Sequence, residues 1–515
     1  MNPRLGAANG RPARLRLLFV AQIVITLLTA LDQTIVATAL PTIVADLGGE
    51  RQTAWVFTAY TLAMTVAMPV FGRLGDLRGR RALYLACVAG FVLASVLCGF
   101  AAGFFSLIAL RFAQGIGGGG IVVLGQAVVA DAVPARDRGR FLAPIGAVFA
   151  VASVVAPLLG GALTDTVGWR WIFWVNAPLG GLALLLAFRS VPRIVPERTG
   201  ERFDTVGAVL LAVWATGVVL VAAWGGSTYP WSSPVILSTA GLVLVAFGLF
   251  VHRCRRHPHP IIPISIFRNR TVVISSVLAF VVGTGVFGLV GYVPGVMQAA
   301  FGLSATPAGT LILPLVLGLM VTSLLAGHRM ARTGRYRDFP LLGCTIAAAG
   351  MLGLAAVRTS TPVLLVAVWI GVVGLGVGCF MQISTVAVQD AVTDRVVGTA
   401  TSTVALVREV GVSIGAAALG GLLSARLLSG LGDRRYLAGL SPVQLRTLSP
   451  ALRHAYAETY LAALTPLLLG LVLLFVVALA VSLFLPDRRL SGGARTTGQG
   501  RNEAVGHQVA SHEGG

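Results

Sequence analysis

The chain contains no lysine: all 39 of its basic residues are arginine. A P-loop needs a lysine to reach the phosphates, so no ATP site of that kind can form, and any pumping must draw on an ion gradient or a partner. Charge of either sign is scarce, at 11% of 515 residues against about 25% in soluble domains. The five cysteines (Cys87, Cys98, Cys254, Cys344 and Cys379) show no Cys-x-x-Cys spacing, and four lie in apolar runs where a thiol packs as a small hydrophobe. What is abundant is apolar surface: 56% of residues are hydrophobic and the mean hydropathy is +0.86. That composition belongs to a lipid-embedded protein. A net charge of +20 would suit a nucleic-acid binder, but the arginines sit in short clusters between apolar runs. Membrane orientation explains that pattern and nucleic acid does not. The Arg, Ala, Gly and Val excess fits a GC-rich bacterial genome.

Fourteen segments have the length and apolarity of spanning helices: 17–40, 53–71, 82–102, 104–127, 141–163, 172–188, 205–224, 233–251, 271–297, 307–326, 339–357, 362–386, 396–423 and 464–485. The first follows Arg4, Arg11, Arg14 and Arg16 as a signal peptide would, but it is too long and lacks a small-residue cleavage site. With the N-terminus cytoplasmic, 29 arginines fall in inside segments and 8 in outside ones, so both termini are expected in the cytoplasm. The loop Gly72–Arg81 after span two and the loop Gly327–Tyr336 after span ten are weakly alike. The repeat predicts two six-helix halves, 17–190 and 271–485, with an inserted pair at 205–251. Residues 1–16 form a cytoplasmic lead. Residues 424–463 read as an extracellular loop with a surface helix near Leu445–Tyr460, and 486–515 as a disordered tail.

Only Asp32, Arg111, Arg408 and Glu409 bring charge into these spans. An intramembrane ionisable group is a functional-site hypothesis by default. Asp32 and Arg111 lie at similar depth, roughly 11–12 Å from one end of their helices, so a pair between them would relieve both burial penalties. Burial favours a neutral carboxyl and a nearby guanidinium favours the charged one, so Asp32 is expected to toggle. Gln22, Thr26, Thr29 and Gln33 follow helical spacing beside it, and this stripe is expected to line a cavity. Gly398, Ser402, Ala405, Glu409 and Ser413 share a small-polar face, while Arg408 is turned about 100° away. Glu409 and Arg408 belong either to that site or to interhelical packing pairs.

Gly115–Gly120 matches G-x-G-x-x-G, but inside a span it reads as close helix packing and not as a nucleotide loop. Pro157-Leu158-Leu159-Gly160-Gly161 reads as a kinked, tightly packed stretch. His252, His257 and His259 sit in a basic loop, and no metal site is assigned. Gln33, Tyr60, Gln114, Asn176, Tyr292, Gln298, Gln382 and Arg408 are candidates to line a substrate cavity, with Trp55 and Gln126 alongside. Anchoring at the membrane surface and packing compete for the same residues.

Leu31-Asp32-Gln33-Thr34-Ile35-Val36-Ala37-Thr38-Ala39-Leu40-Pro41 resembles the first-helix motif L-D-x-T-I-V-x-x-A-L-P of the fourteen-helix drug:proton antiporters of the major facilitator superfamily, the EmrB/QacA type. Gly72–Arg81 is similar to the superfamily loop motif G-x-x-x-D-R-x-G-R-R, Arg111, Gln114 and Gly115 to R-x-x-Q-G, and Trp169–Pro178 to a stretch of the same branch. The resemblance covers about residues 15–487. It implies an all-α major facilitator fold with fourteen transmembrane helices. Asp32 and Arg111 would couple protons. Gly72, Gly75, Asp76, Gly79 and Arg80 would latch the halves on the cytoplasmic side. Pro157, Gly160 and Gly161 would end an antiporter motif associated with export. Departures are visible: Leu77 stands where a basic residue is expected, Ala143, Ala152 and Ala156 replace glycines, and Ala331 replaces the second-half Asp. That second latch is therefore expected to be lost.

The expected function is efflux of hydrophobic, often cationic drugs or antibiotics across the bacterial cytoplasmic membrane in exchange for protons. Self-resistance of an antibiotic producer is one use. The proton gradient stands in place of a cofactor, the bilayer is the only large partner, and a monomer is expected. A proton symporter for a nutrient is the rival transport reading. A membrane enzyme is disfavoured, because no span holds a nucleophile–base pair or a set of metal ligands.

Overall fold

The computed structural model describes residues 11–48, 53, 55–193, 201–226, 228–432, 437, 444, 445, 448–487, 489 and 490. Among them the only β feature is an isolated bridge between Gly225 and Tyr229. Helices dominate for a physical reason: in hydrocarbon every backbone N–H and C=O must be paired within its own segment. In order they are α1 (Arg11–Leu47), α2 (Trp55–Arg78), α3 (Arg80–Gly99), α4 (Phe104–Ala132), α5 (Ala135–Thr166), a short α6 (Trp171–Trp174) leading into α7 (Asn176–Ser190), α8 (Thr205–Trp224) and α9 (Pro234–Arg256). Then come α10 (Arg270–Val282), α11 (Gly288–Phe301), α12 (Ala305–Thr310), α13 (Leu313–Thr333), α14 (Asp338–Ala355), α15 (Val363–Gly378), α16 (Met381–Ala391), α17 (Val397–Leu431) and α18 (Pro450–Ser482).

Twelve helices or joined helices are long and apolar enough to cross a membrane. The two other predicted spans, 141–163 and 271–297, fall on α5 and on an α10–α11 rod broken by a π-helical turn, Gly283–Phe287. The outward faces of the spanning helices carry large apolar side chains, such as Phe105 of α4 at 85% exposure and Leu364 of α15 at 77%, as contact with lipid requires.

Packing divides the helices into groups. α4 lies against α2 and α3, and α1 against α5 and α7. α15 lies against α13 and α14, α14 against α18, and α10 against α17. Two seams join the groups, α2 with α17 and α5 with α13. α8 pairs with α9 and touches both α2 and α17. Glycines permit the closest approaches: a Cβ at Gly115 or Gly119 of α4 would strike the Tyr60 or Met64 carbonyl of α2, and one at Gly117 would strike Cys87 and Phe91 of α3. The G-x-G-x-x-G match is therefore a packing surface.

Three boundaries differ from the sequence reading. Both ends of segment 424–463 are helical, because α17 runs on to Leu431 and α18 begins at Pro450. These helices of 35 and 33 residues are about 50 Å long, more than a bilayer core, so polar residues continue them beyond the apolar stretch. The start of the 486–515 tail is docked: Leu490 is buried and its N–H donates to the Gly334 carbonyl at 2.9 Å. The predicted lead up to residue 10 and the tail beyond 490 lie outside the described residues.

Candidate functional site: a caged carboxylate and two interhelical latches

Asp32 sits in the interior of α1 with no exposed surface. Arg111 of α4, equally enclosed, donates to its Oδ2 at 2.6 Å. Gln114, one turn further along α4, donates to Oδ1 at 2.8 Å and accepts from Arg111 at 2.7 Å. Asn176, the first residue of α7, gives Oδ1 a second donor, the carboxylate's third, at 3.0 Å and donates to Ser95 at 2.9 Å. The Tyr60 ring of α2 lies under the Arg111 guanidinium, 4.3 Å from its centroid. A buried ion pair needs further hydrogen bonds for its remaining groups. Gln114 and Asn176 supply them to the carboxylate, while Nη2 of Arg111 is buried without a hydrogen-bond partner among the described residues. The cage can hold a carboxylate charge, and it loses its main attraction when that carboxylate takes a proton.

The stripe beside Asp32 packs instead of lining a cavity. Gln22 accepts from the Tyr84 hydroxyl at 2.6 Å, and Thr29 bonds back to its own helix. The cause is that Tyr84 of α3 and Gly125 of α4 close on Gln22. Gln33 contacts the Met64 sulfur at 3.5 Å. Asn176 belongs to the carboxylate cage.

A second charged centre lies on α17, where Arg408 donates to Glu409 at 3.2 Å. The two neighbours meet through bent side chains, although their backbone directions diverge. The π turn crosses α17 here: Thr284 donates to the Gly411 carbonyl at 3.1 Å, and Gly283 lies against the Arg408 carbonyl. Such turns gather at functional sites. The sequence reading passed over this turn, and Gly283 and Gly285 are the residues that could have marked it. Arg408 also lines a narrow cavity between the groups with Gln126, Ser384, Thr385 and Thr401. Gln298 and Gln382 are half-buried on α11 and α16, and the Tyr292 side chain lies outside the described residues.

At the arginine-rich end, Asp76 of α2 caps the N-terminus of α17. It accepts from the Gly398 N–H at 2.9 Å, the Thr399 N–H at 2.7 Å and the Thr399 hydroxyl at 2.8 Å. α17 has no side-chain cap of its own, so the cap comes from the other group of helices. Arg80 holds Asp76 at 2.8 Å, pairs with Asp131 and reaches the Asp394 carbonyl at 3.4 Å. Gly79 has φ of 90°, a backbone that glycine tolerates and other residues resist. A Cβ at Gly72 would collide with Ser402 and the Gly398 carbonyl, and one at Gly75 would meet Leu124.

The second seam is also pinned, by a residue the sequence reading did not single out. Arg136, at the start of α5, donates to the Ala331 carbonyl at 2.7 Å and the Arg332 carbonyl at 2.5 Å. A guanidinium thereby caps the C-terminus of α13, where orphan carbonyls and the helix dipole favour it. Gly139 and Gly327 bring the two backbones together beside it. Ala331 therefore removes a carboxylate without removing a latch. Of the predicted antiporter residues, Gly160 packs tightly on Ile35 and Thr38 of α1, whereas Pro157 is exposed and Gly161 meets open space.

Known proteins sharpen this picture. The chain is 38% identical over 491 residues to an uncharacterised MFS-type transporter of Mycobacterium tuberculosis, covering 94% of this chain and 71% of the relative. It is 33% identical over 427 residues to the multidrug transporter protein MdtP of Bacillus subtilis, covering 83% and 78%. In structure it is similar to the human organic anion transporter MFSD10, with TM-score 0.58, 17% identity and 89% and 99% coverage. It is also similar to the proton:xylose symporter XylE, with TM-score 0.58, 14% identity and 93% and 98% coverage. The sequence model of the Major Facilitator Superfamily matches residues 23–416 and 276–506. The chain belongs to that superfamily and is a multi-pass membrane transporter, not an enzyme.

Proposed function

We propose that this transporter exports hydrophobic, often cationic drugs or antibiotics in exchange for protons, across a bacterial cytoplasmic membrane that it spans fourteen times with both termini inside. The observation that carries the reading is the fully enclosed Asp32, held by Arg111, Gln114 and Asn176. A carboxylate taken this far from water is a group whose proton changes the forces around it. Protonation would weaken its hold on Arg111 and on the helices that bring the cage together. A proton driven inward supplies about 2.3 kcal/mol per 100 mV of potential. The caps of α17 by Asp76 and of α13 by Arg136 fit a state closed on the cytoplasmic side in an alternating-access cycle. Glu409 and Arg408 would meet the substrate at the interface, with Glu409 offering charge to a cation. Multidrug and efflux relatives favour export.

The test is dye transport and proton release in inverted vesicles carrying the wild type or Asp32→Asn. The expected result is dye-coupled lumenal proton release in the wild type and none in the variant. Gradient-driven transport at the full rate in Asp32→Asn overturns the reading. Proton symport of a nutrient is the second reading, supported by the symporter among the structural relatives. It predicts proton movement in the same direction as the substrate.

A further inference from the structure

Four arginines gather at the arginine-rich end of α1, α3 and α7. Arg14, in the first turn of α1, donates to the Ser190 carbonyl at 3.1 Å and the Val191 carbonyl at 3.4 Å. Arg81, in the first turn of α3, donates to the same Val191 carbonyl at 3.0 Å and to the Phe188 carbonyl at 2.6 Å. Two guanidiniums thus meet on one oxygen, and Arg14 and Arg193 are both close enough to Arg81 to repel it. Arg189 lies in the last turn of α7. Among the described residues none of the four pairs with a carboxylate, unlike Arg73, Arg80, Arg111, Arg170, Arg253 and Arg408. Neutral carbonyls take up four N–H groups but leave the charge uncompensated, and like charges this close favour an anion between them.

The surroundings say which anion. Phe188 lies beneath Arg81, 5.3 Å from the guanidinium, and is 56% exposed. Leu182 and Leu185, each 47% exposed, continue one apolar stripe down the same side of α7. A headgroup at the arginines would therefore have its acyl chains against this stripe. We propose that this cluster binds the phosphodiester headgroup of an anionic glycerophospholipid, in the leaflet at the arginine-rich end. Basic pockets between transmembrane helices are built for such headgroups.

The test is thermal unfolding of the full chain in detergent, titrated with phosphatidylglycerol, phosphatidylcholine or inorganic phosphate. Arg14→Gln/Arg81→Gln keeps donors for the helix carbonyls and removes two charges. The expected result is a melting temperature that rises with phosphatidylglycerol, as ligand linkage requires, and is unmoved by the other two additions. In the double variant the apparent affinity falls roughly five-fold per guanidinium, about twenty-five-fold in all. Arg255→Gln/Arg256→Gln, which removes two arginines at the end of α9, keeps the wild-type response. Equal stabilisation by both lipids, by inorganic phosphate, or an undiminished response in Arg14→Gln/Arg81→Gln overturns the proposal.

Discussion

At the scale of single residues, the cage around Asp32 separates two kinds of loss. Arg111→Ala would leave a buried carboxylate without its counter-charge, which costs about 3–5 kcal/mol and threatens folding itself. Asn176→Ala removes one donor to a charged acceptor, worth about 1.5–3 kcal/mol, while Arg111 and Gln114 stay in place. The Asn176→Ala protein is therefore expected to fold, with transport reduced at least roughly ten-fold at equal protein level. Ser95→Ala, which removes a hydroxyl bonded to Asn176 and the Phe173 carbonyl and leaves the Asp32 carboxylate its three donors, should cost far less. Initial rates of dye efflux check both, and a wild-type rate in Asn176→Ala would remove Asn176 from the proposed coupling centre. The sequence made part of this centre legible. Equal depth paired Asp32 with Arg111, and Gln114 follows at helical spacing from Arg111. Asn176 was named only as a cavity candidate, because nothing local fixes how α7 is rotated against a carboxylate 144 residues away.

At the scale of helices, the two caps are chemically opposite: a carboxylate on an N-terminus at the α2–α17 seam, and a guanidinium on a C-terminus at the α5–α13 seam. The first was legible from the loop motif. The second was not, since a departure at Ala331 in one loop is answered by Arg136 in another. The Asp76 cap is worth about 1–2 kcal/mol, enough to shift a closed–open equilibrium about 5- to 30-fold, and the exposed Arg136 cap about 0.3–1 kcal/mol, enough for about 2- to 5-fold. In a cysteine-free background carrying Thr385→Cys on the interface cavity, Asp76→Ala and Arg136→Ala should each speed labelling by an impermeant thiol reagent applied at the arginine-rich end. Ala331→Asp, which adds a carboxylate beside Arg136, should slow it. Unchanged labelling in Arg136→Ala would reduce that contact to surface decoration. The π turn escaped prediction for a related reason. Gly283-Thr284-Gly285 marks a weak point, but only packing against Gly411 and Gly415 of α17 determines how the chain bends there.

At the scale of the whole molecule, the α8–α9 pair does more than fill space. One hydrophobic cluster joins its Leu211, Ala215, Phe250 and Cys254 to Val272 of α10 and to Ala400, Val404 and Leu406 of α17, with Val66 and Val70 of α2 against it. At the arginine-poor end the pair touches both groups of helices: Trp224 lies 5.9 Å from Trp55 of α2, and Trp231 lies over Gly421 of α17. Apolar periodicity revealed that the pair exists, but its seat between α2 and α17 depends on contacts that no local pattern encodes. If α2 and α17 part during transport, the pair cannot keep both contacts, because its own helices are tied together where Gly217 packs on Val243. Cross-linking Trp55→Cys to Trp224→Cys and Trp231→Cys to Gly421→Cys in one cysteine-free protein should therefore stop transport, with recovery on reduction. At least one of the two links alone should also block. Linking Gly217→Cys to Val243→Cys, which only staples the pair to itself, should leave transport intact. Full transport with both outer links closed would mean that α2 and α17 do not separate at this end, and the two-body rocking motion would have to be replaced by bending within the helices.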